Sequence, residues 1–523
     1  NLGTIARSGT QNFLNQLSGD AKKDNMLIGK FGVGFYSAFM VSDNVEINTL
    51  SYQKDSSPVA WACDGSSDYS IDVGTRESRG TEITLHINKE SEEFLEENKI
   101  KEILLKHCRF LPHPIYLNGT HINNKEPLWI KPASECSDKE YVDFYHTLYP
   151  MEADPIFWIH LNVDYPFNLK GILYFPKITK RFDYSRSSIN LYCNRVFVSD
   201  NCKEIIPDFL MILRGTIDSP DIPLNVSRSN LQMDRTVRQL SSHISKKISD
   251  KLISLYQTNR EDFITRWTNI EMVIKLGILQ DDKFYERMKP CLIWKNSKDE
   301  WTTIEEYLER NKEKHENKVF YHHEEDSSSH FFEMYKEKGI EVLYTSSHLD
   351  SPLISFLERH HTGIKFQRLD GALDDVILDS GREKILLDPN GQTEAVKIAD
   401  FIRSQLGATV EVEAKSLSSN QLPAFIVINE EMRRMRDYFS LSGQDLPNTF
   451  GEKHTFIINT NNPLIDSMYK LKDKDPELAK EMVQQLYELS LLSQKELAPT
   501  QLSTFIKRSS DVLEKLSKHA IEK

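Results

Sequence analysis

Four short runs between residues 45 and 87 alternate apolar with polar residues, and this alternation constrains the fold more than any other feature of the chain. A period of two is typical of strands with one buried face. The apolar members of the four runs are Val45 and Ile47; Val59, Trp61 and Cys63; Tyr69, Ile71 and Val73; and Ile83, Leu85 and Ile87. With helical patterns on either side, the first ~125 residues are predicted to form helices over a largely antiparallel sheet, an α+β arrangement. Near the end of this region the Asn118-Gly119 pair predicts a hairpin-type turn.

A glycine-rich stretch, "GKFGVGFYSA", precedes these runs and has two readings. Glycines at 29, 32 and 34 permit positive φ and close packing of a loop against the helix predicted after it. Alternatively, the N–H groups of residues 32–35, at the start of that helix, cradle an anion. No Lys-Ser/Thr pair follows the last glycine and no strand leads into the stretch, so it is neither a Walker A nor a Rossmann loop.

The remaining chain predicts two further α/β regions, with strands around residues 172–175 and 195–198 in the first and 424–428 in the second. At 523 residues the chain exceeds what one core supports, and a prior of about 150 residues per domain suggests roughly three domains. The predicted domains are residues 1–122, 127–380 and 385–523. Near the C-terminus, Asp475 as N-cap and Pro476 in the first turn predict the start of a long helix.

Composition excludes several classes of protein. The net charge of −13, from 65 basic and 78 acidic residues, disfavours nucleic acid and anionic membranes as partners. Six cysteines without a C-x-x-C pair, and a histidine stretch (322–330) without metal-binding spacing, predict no disulfide scaffold, no metal site and a cytoplasmic location. The histidine stretch is predicted to be a solvated loop. Because the chain begins at Asn1 with no targeting-like segment, we expect a fragment of a longer protein.

Three stretches carry a resemblance to a known family: "NLGTIARSGTQNFLNQL", "IGKFGVGFYSAFMVSDNVEI" and "RGTEITLHI". In wording, order and spacing they resemble the nucleotide-binding domain of the heat-shock protein 90 chaperones, and within them the bacterial type. The resemblance implies a GHKL-type sandwich of helices over a mixed sheet, the fold of gyrase B, MutL and histidine kinases, with ATP between the helices. The segment from Asn1 to Gly29 then resembles the family's ATP lid, and the glycine stretch resembles its phosphate-contacting hinge.

The resemblance also implies which residues contact ATP. Asn1 and Arg7 would face the ribose and phosphate region. The phosphates would be contacted by the backbone N–H groups of Gly32, Val33, Gly34 and Phe35. Thr81 would line the adenine side. Arg7 stands where the family usually has Lys, which keeps the charge. In the family, the general-base Glu, the Asn that holds Mg2+ and the Asp that binds adenine all precede the lid, and none is matched here. ATP with Mg2+ is therefore expected as the cofactor of a longer parent protein, with weak binding and no hydrolysis by this chain alone.

A second stretch, "DIPLNVSRSNLQ" at 221–232, resembles the catalytic loop of the family's middle domain. Taken by itself, an Arg after Pro, Asn and Ser is typical of a solvated loop. Under the resemblance, Arg228 reaches the γ-phosphate of ATP and neutralises the charge that develops there. Asn225 and Gln232 would support that loop.

The C-terminal region offers two candidate contact surfaces. In "EEMRRMRDYFS", Met432, Met435 and Phe439 form one apolar helix face, which either docks on its own domain or, as in a similar family segment, contacts unfolded clients. The last two helices carry apolar stripes, which are either internal core or a C2 four-helix dimer interface. The stripe residues are Leu478, Met482, Leu486 and Leu489, and Leu502, Phe505, Leu513 and Leu516.

Together, the resemblance implies an ATP-dependent, homodimeric chaperone that binds and remodels unfolded or partly folded clients, with co-chaperones as further candidate partners. Its domains would be a partial ATP-binding domain with lid (1–122), a middle domain with the Arg loop (127–380) and a dimerisation domain (385–523). One rival is another ATPase of the same fold, such as a histidine kinase or a mismatch-repair protein, which the absent phosphoacceptor motif and basic surface disfavour. The second rival is an ATP-independent, dimeric client-binding scaffold.

Overall fold

A computed structural model describes residues 3–4, 9, 32–165, 167–177, 188–200, 205–222, 235–323, 330–371, 373–379, 393–407, 410–441, 454–494 and 496–521. The chain divides into two compact units, residues 1–273 and 274–523. Both mix helices with strands, which confirms the α+β class. The division falls inside the predicted middle domain, and the three predicted domains stay a prediction.

The first unit contains most of the long strands. Its strands are β1 (Ser42–Leu50), β2 (Val59–Cys63), β3 (Ser70–Val73), β4 (Gly80–Ile87), β5 (Tyr116–Leu117), β6 (Thr120–His121), β7 (Phe157–Val163), β8 (Leu169–Phe175), β9 (Ser188–Cys193), β10 (Val196–Ser199) and β11 (Arg214–Asp218). Its helices are α1 (Glu97–His107), α2 (Asp138–Leu148), α3 (Arg235–Thr258) and the first part of α4 (Arg260–Gln280). Short 3-10 helices span Gly34–Met40, Lys89–Leu95, Leu128–Ile130, Ala133–Glu135 and Asp208–Leu210.

The four alternating runs form one antiparallel sheet, as predicted, and the structure shows their order to be β3-β2-β1-β4. Val45, Ile47 and Trp61 are its buried residues, and the 3-10 helix Gly34–Met40 covers them with Phe35, Ala38 and Phe39. The element after the glycines is thus a 3-10 helix. Among the described residues the helix covers only part of this face: Ile83 lies directly opposite Ile47 and is 53% exposed.

The rest of the first unit follows the sequence patterns closely. Asn118 and Gly119 have φ values of 47° and 80° and join β5 to β6, which confirms the predicted hairpin turn. A five-stranded sheet in the order β10-β9-β11-β8-β7 contains the two strands predicted around residues 172–175 and 195–198. Its aromatic core includes Trp129, whose Nε1 donates a hydrogen bond to the buried Asp218 carboxylate at 3.2 Å.

The second unit contains shorter sheets and more helices. Its strands are β12 (Trp294–Lys295), β13 (Trp301–Thr302), β14 (Lys318–His323), β15 (Leu343–Thr345), β16 (Lys365–Arg368), β17 (Glu411–Lys415), β18 (Ala424–Ile428) and β19 (His454–Asn459). After the end of α4, its helices are α5 (Asp282–Met288), α6 (Ile304–Asn311), α7 (His330–Glu337), α8 (Asp350–His360), α9 (Glu394–Leu406), α10 (Glu430–Leu441), α11 (Pro463–Leu471), α12 (Pro476–Ser493) and α13 (Pro499–Ile521). Two 3-10 helices span Lys289–Cys291 and Asp375–Ile377.

Two three-stranded sheets organise the second unit, in the orders β15-β14-β16 and β17-β19-β18. The predicted strand 424–428 is confirmed, and so is the Asp475 cap, whose carboxylate accepts a hydrogen bond from Leu478 N at 3.1 Å. One expectation is wrong: His322 is not on a solvated loop but lies in β14 and is 1% exposed. Strand β14 is the central strand of its sheet, and its four consecutive residues 319–322 are all buried, so packing on both faces rather than the polarity of its neighbours decides the burial of this imidazole.

Candidate functional site

The glycine stretch adopts a backbone that suits an anion. Gly32 has a φ of +67°, which glycine adopts without steric cost, and Val33 beside it is in the right-handed helical region. A positive-φ residue next to a right-handed helical one turns successive N–H groups toward one side, the concave arrangement that binds anions. Beyond it, a Cβ added to Gly34 would meet nothing within 4 Å, so there is open space against the backbone.

The 3-10 helix that follows Gly34 is held against the sheet by aromatic and hydroxyl contacts. The ring of Phe35 lies 5.9 Å from that of Trp61 in an edge-to-face arrangement. Ser37 Oγ donates to Gly34 O at 2.7 Å, and Ser42 Oγ donates to Ala38 O at 2.7 Å. These contacts fix the position of the glycine loop relative to β1 and β2.

Thr81 lies on the same face of the sheet as Phe35. Its partner across β1 is Thr49, two residues beyond Ile47, and the two hydroxyl oxygens are 2.8 Å apart. Residues two apart on a strand share a face, and directly opposite residues do so as well. The structure therefore brings the glycine loop and Thr81 to one face, and Thr81 is exposed there.

The other sequence-predicted contacts lie outside the described residues. They are Asn1 and Arg7 near the start of the chain and Asn225, Arg228 and Gln232 in the Arg loop. Their roles stay predictions. The described residues include no group of three or more His, Cys, Asp and Glu side chains able to hold a metal ion.

Helix α10 holds the candidate client residues. Met432 and Met435 are half-buried, and Met432 packs against the core beneath the C-terminal sheet. Phe439 belongs to the helix, but its side chain lies outside the described part. The client role of the three residues stays a prediction. The packing of Met432 fits in part the other reading, in which this helix face docks on its own domain.

Two arginines of α10 have contacts that the sequence analysis missed. Arg434 pairs with Glu358 of α8 at 2.6 Å and with Glu430, and Arg433 pairs with Asp370 at 3.1 Å. Burial alone would lower the pKa of Arg434, but the two glutamates outweigh burial and raise it. The i,i+4 spacing of Glu430 and Arg434 was a readable signal for one of these pairs.

The last two helices expose part of their apolar stripes. Phe505 is buried, whereas Leu489, Leu502 and Leu513 are 49%, 41% and 65% exposed. On α12, Leu478 and Leu486 face the core, so that stripe is split between core and surface. The two helices are joined across their surface by Lys515 and Glu481 at 2.6 Å.

Comparison with known proteins identifies the family. The family model described as "Hsp90 protein" matches residues 117–521. The chain belongs to the heat-shock protein 90 family. It is 37% identical over 500 residues to the chaperone protein HtpG of Bacteroides fragilis, covering 91% of this chain and 72% of that protein. It is 38% identical to HtpG of Bacteroides thetaiotaomicron (89% and 71% covered) and 31% identical to HtpG of Idiomarina loihiensis (90% and 79% covered).

This membership makes the chain a chaperone of the Hsp90 type, similar to bacterial HtpG proteins, as the sequence predicted. Hsp90 proteins bind ATP and act as ATPase chaperones. None of the described helices is both long and apolar enough to cross a membrane. No two of the described cysteines form a disulfide with each other.

Proposed function

We propose that this protein is an ATP-dependent, homodimeric chaperone that closes around unfolded or partly folded clients in the cytoplasm. The observation that supports ATP use is the glycine loop: a positive-φ Gly32, right-handed helical Val33 and open space at Gly34, on the sheet face that also holds Thr81. This geometry fits a phosphate group. It also supports our proposal that the four-stranded sheet with its helix is part of a GHKL-type ATP-binding domain.

In this proposal, different residues of the chain contact different parts of the nucleotide. The N–H groups of Gly32, Val33, Gly34 and Phe35 hold the phosphates, and Thr81 lines the adenine side. Asn1 and Arg7 face the ribose and phosphates, and Arg228 neutralises charge at the γ-phosphate, supported by Asn225 and Gln232. Bound ATP, with Mg2+, supplies the phosphoanhydride whose hydrolysis drives closure. The general base and the Mg2+ ligand are proposed to belong to a part of the parent protein not matched in this chain.

Clients and the second subunit are proposed to bind the second unit. The exposed leucines of α12 and α13, including Leu489, Leu502 and Leu513, support a four-helix interface between two copies. Met432, Met435 and Phe439 of α10 are proposed to contact clients, since methionines adapt to varied apolar surfaces.

The test is calorimetric titration of Mg-ATP into the chain, with two glycine variants. Gly34→Ala adds a methyl group to open space, so we expect unchanged stability and at least about tenfold weaker ATP binding if phosphates approach this backbone. Gly119→Ala, in the distant hairpin with a φ of +80°, is the matched control that strains a turn without affecting ATP. ATP affinity unchanged by Gly34→Ala would remove the loop from the site.

Chaperone activity is tested separately, with reduced, denatured α-lactalbumin as the aggregating client. We expect the chain to suppress its aggregation. In the longer parent protein, which would supply the general base, we expect Arg228→Ala to lower ATP turnover without changing ATP affinity. Suppression that is complete without ATP would instead support the ATP-independent scaffold. Failure to suppress aggregation under either condition would contradict client binding.

A further inference from the structure

The outer edge of β17 lies beside an open trough. Strand β17 is at one end of the order β17-β19-β18 and pairs with β19 in parallel. The trough has a volume of about 1040 Å³ and is lined by five consecutive residues, 412–416, together with α9 and the start of α11. Because consecutive strand residues alternate between the two faces, a trough that contacts all five runs along the strand edge.

Hydrogen bonds define which backbone groups point into the trough. Thr460 N donates to Lys415 O at 3.0 Å, so residues 411, 413 and 415 direct their backbone groups toward β19. The backbone groups of Val412, Ala414 and Ser416 therefore point outward. Ser416 O accepts from Asp379 N at 2.8 Å, and Val412 O accepts from Arg403 Nη2 at 2.8 Å. Among the described residues, Ala414 between them has no partner on its outward side.

The charge around this edge is acidic on both faces of the sheet. On its helix side the trough is lined by Glu394, Asp400 and Asp466 against Arg403, and Glu413 and Lys415 line it at the strand edge. On the opposite face, a groove of about 540 Å³ has Asp375, Glu411, Glu413 and Glu431 against Lys415. Arg403 is itself paired with Asp400 at 2.7 Å, and Lys415 lies 3.6 Å from Glu413. The surroundings of β17 thus favour a cationic partner.

The side chains beside the edge alternate in the same way. On the α9 side the trough contains Val396, which is 43% exposed, and the partly exposed Ala414. On the other side, Glu411 and Glu413 are exposed. A strand added to this edge would direct alternate residues to an apolar and an acidic surface. An extended segment with alternating apolar and basic residues matches both.

We infer that the β17 edge binds an extended, basic segment of an unfolded client by strand addition, with Arg403 releasing Val412 O as the segment pairs. This inference rests on the proposed chaperone function and assigns it a second client surface, which adjoins α10 through Glu431 and Met432 in the groove. Charged side chains also protect edge strands from unwanted pairing. Charges that only prevent pairing need no empty space beside the strand. Here the trough beside the edge of β17 leaves room for an added strand.

The probe is a fluorescein-labelled ten-residue peptide of alternating Lys and Val, measured by fluorescence anisotropy with the full chain. We expect saturable binding, and at least about tenfold weaker binding of the Glu-Val peptide. N-methylation of every Lys or of every Val removes alternate donors, and only one of these registers should abolish binding, because a strand directs alternate N–H groups to one neighbour. Equal effects of both registers, or no binding of the Lys-Val peptide, would overturn the inference.

Variants of the chain supply a second test. Glu411→Lys with Glu413→Lys should weaken peptide binding at least about tenfold, and Arg403→Ala should strengthen it several-fold, because it frees an edge carbonyl and removes a like charge. Glu309→Lys, on the exposed surface of α6, is the matched control. Unchanged affinity in the double variant would contradict the inference. If α-lactalbumin aggregation is suppressed but the peptide is not bound, only the strand-edge inference fails; if the chain suppresses no aggregation, the proposed function fails first.

Discussion

The four-stranded sheet of the first unit and the β17-β19-β18 sheet of the second are built from similar strands but are covered differently. In the first, the 3-10 helix Gly34–Met40 covers Val45, Ile47 and Trp61 within the part of the chain that the structure describes. In the second, Phe456 and Ile458 face the helices α9, α11 and α12, and Ile457 is buried on the opposite face. The same residue type is therefore 53% exposed at position 83 and 3% exposed at position 457. Alternation along a strand therefore predicts which face is apolar, whereas the elements that cover that face are distant in sequence.

The largest expected effect comes from truncating an isoleucine in a central strand of each sheet. Ile458 is 0% exposed in the second and Ile47 is 4% exposed in the first. We expect Ile458→Ala to lower the free energy of local unfolding by about 4 kcal/mol and Ile47→Ala by about 2 kcal/mol, because a thinly covered site relaxes around the lost methyl groups. Hydrogen exchange of the β19 and β1 segments in increasing urea measures each change.

This test uses matched controls within each sheet. Ile458→Val and Ile47→Val remove one methylene and should cost about 1 kcal/mol each. Equal losses for the two alanine variants would mean that the first sheet is as well covered as the second, and the comparison would not hold.

Much of the fold could be predicted from the sequence because the deciding interactions are local. Alternation predicted β1 to β4, the Asn118-Gly119 pair predicted a hairpin, and Asp475 with Pro476 predicted the start of α12. His322 was assigned wrongly because its burial comes from packing of β14, which its polar neighbours do not reveal. The division of α12's apolar residues between core and surface likewise depends on tertiary packing.

A second test sharpens the comparison of the two units through their buried carboxylates. In the second unit, burial raises the pKa of Glu341, but hydrogen bonds from Arg310, Asn311 and Asn296 outweigh it and lower the pKa below 4.5. A lowered pKa contributes stability that is complete above pH 4.5 and is lost as pH falls through the folded-state value. We expect Glu341→Gln to cost about 2 kcal/mol at pH 7 and less at pH 3, measured by urea unfolding.

Asp218 in the first unit is the control of opposite sign. Burial raises its pKa above 3.8, more than the hydrogen bonds from Arg195 N and Trp129 Nε1 lower it. Its charged form is therefore penalised at neutral pH, and this penalty is relieved as pH falls through the folded-state pKa. The advantage of the wild-type chain over Asp218→Asn should grow toward acid pH, and parallel pH profiles for the two variants would contradict this account.

The candidate site was less predictable than the fold. The resemblance supplied Gly32 to Phe35 and Thr81, and the structure shows a positive φ at Gly32 and a shared face for Thr81. Arg434 was missed because its partner Glu358 lies 76 residues away in sequence, and a single sequence does not reveal such a pair. Arg403, capping the β17 edge, was missed because its acceptor is a backbone carbonyl, which has no sequence signature.

The smallest expected effect tests whether the open face of the first sheet is exposed in solution. Ile83 is half-exposed among the described residues, so Ile83→Thr should change stability by less than about 0.5 kcal/mol and lower the fluorescence of bound anilinonaphthalene sulfonate. Ile457→Thr, at a buried position in the second sheet, is the matched control and should cost about 3 kcal/mol. If Ile83→Thr lowers the free energy of unfolding as much as the control does, a covering element packs on this face. The two sheets would then differ in which segment covers them and not in how completely they are covered.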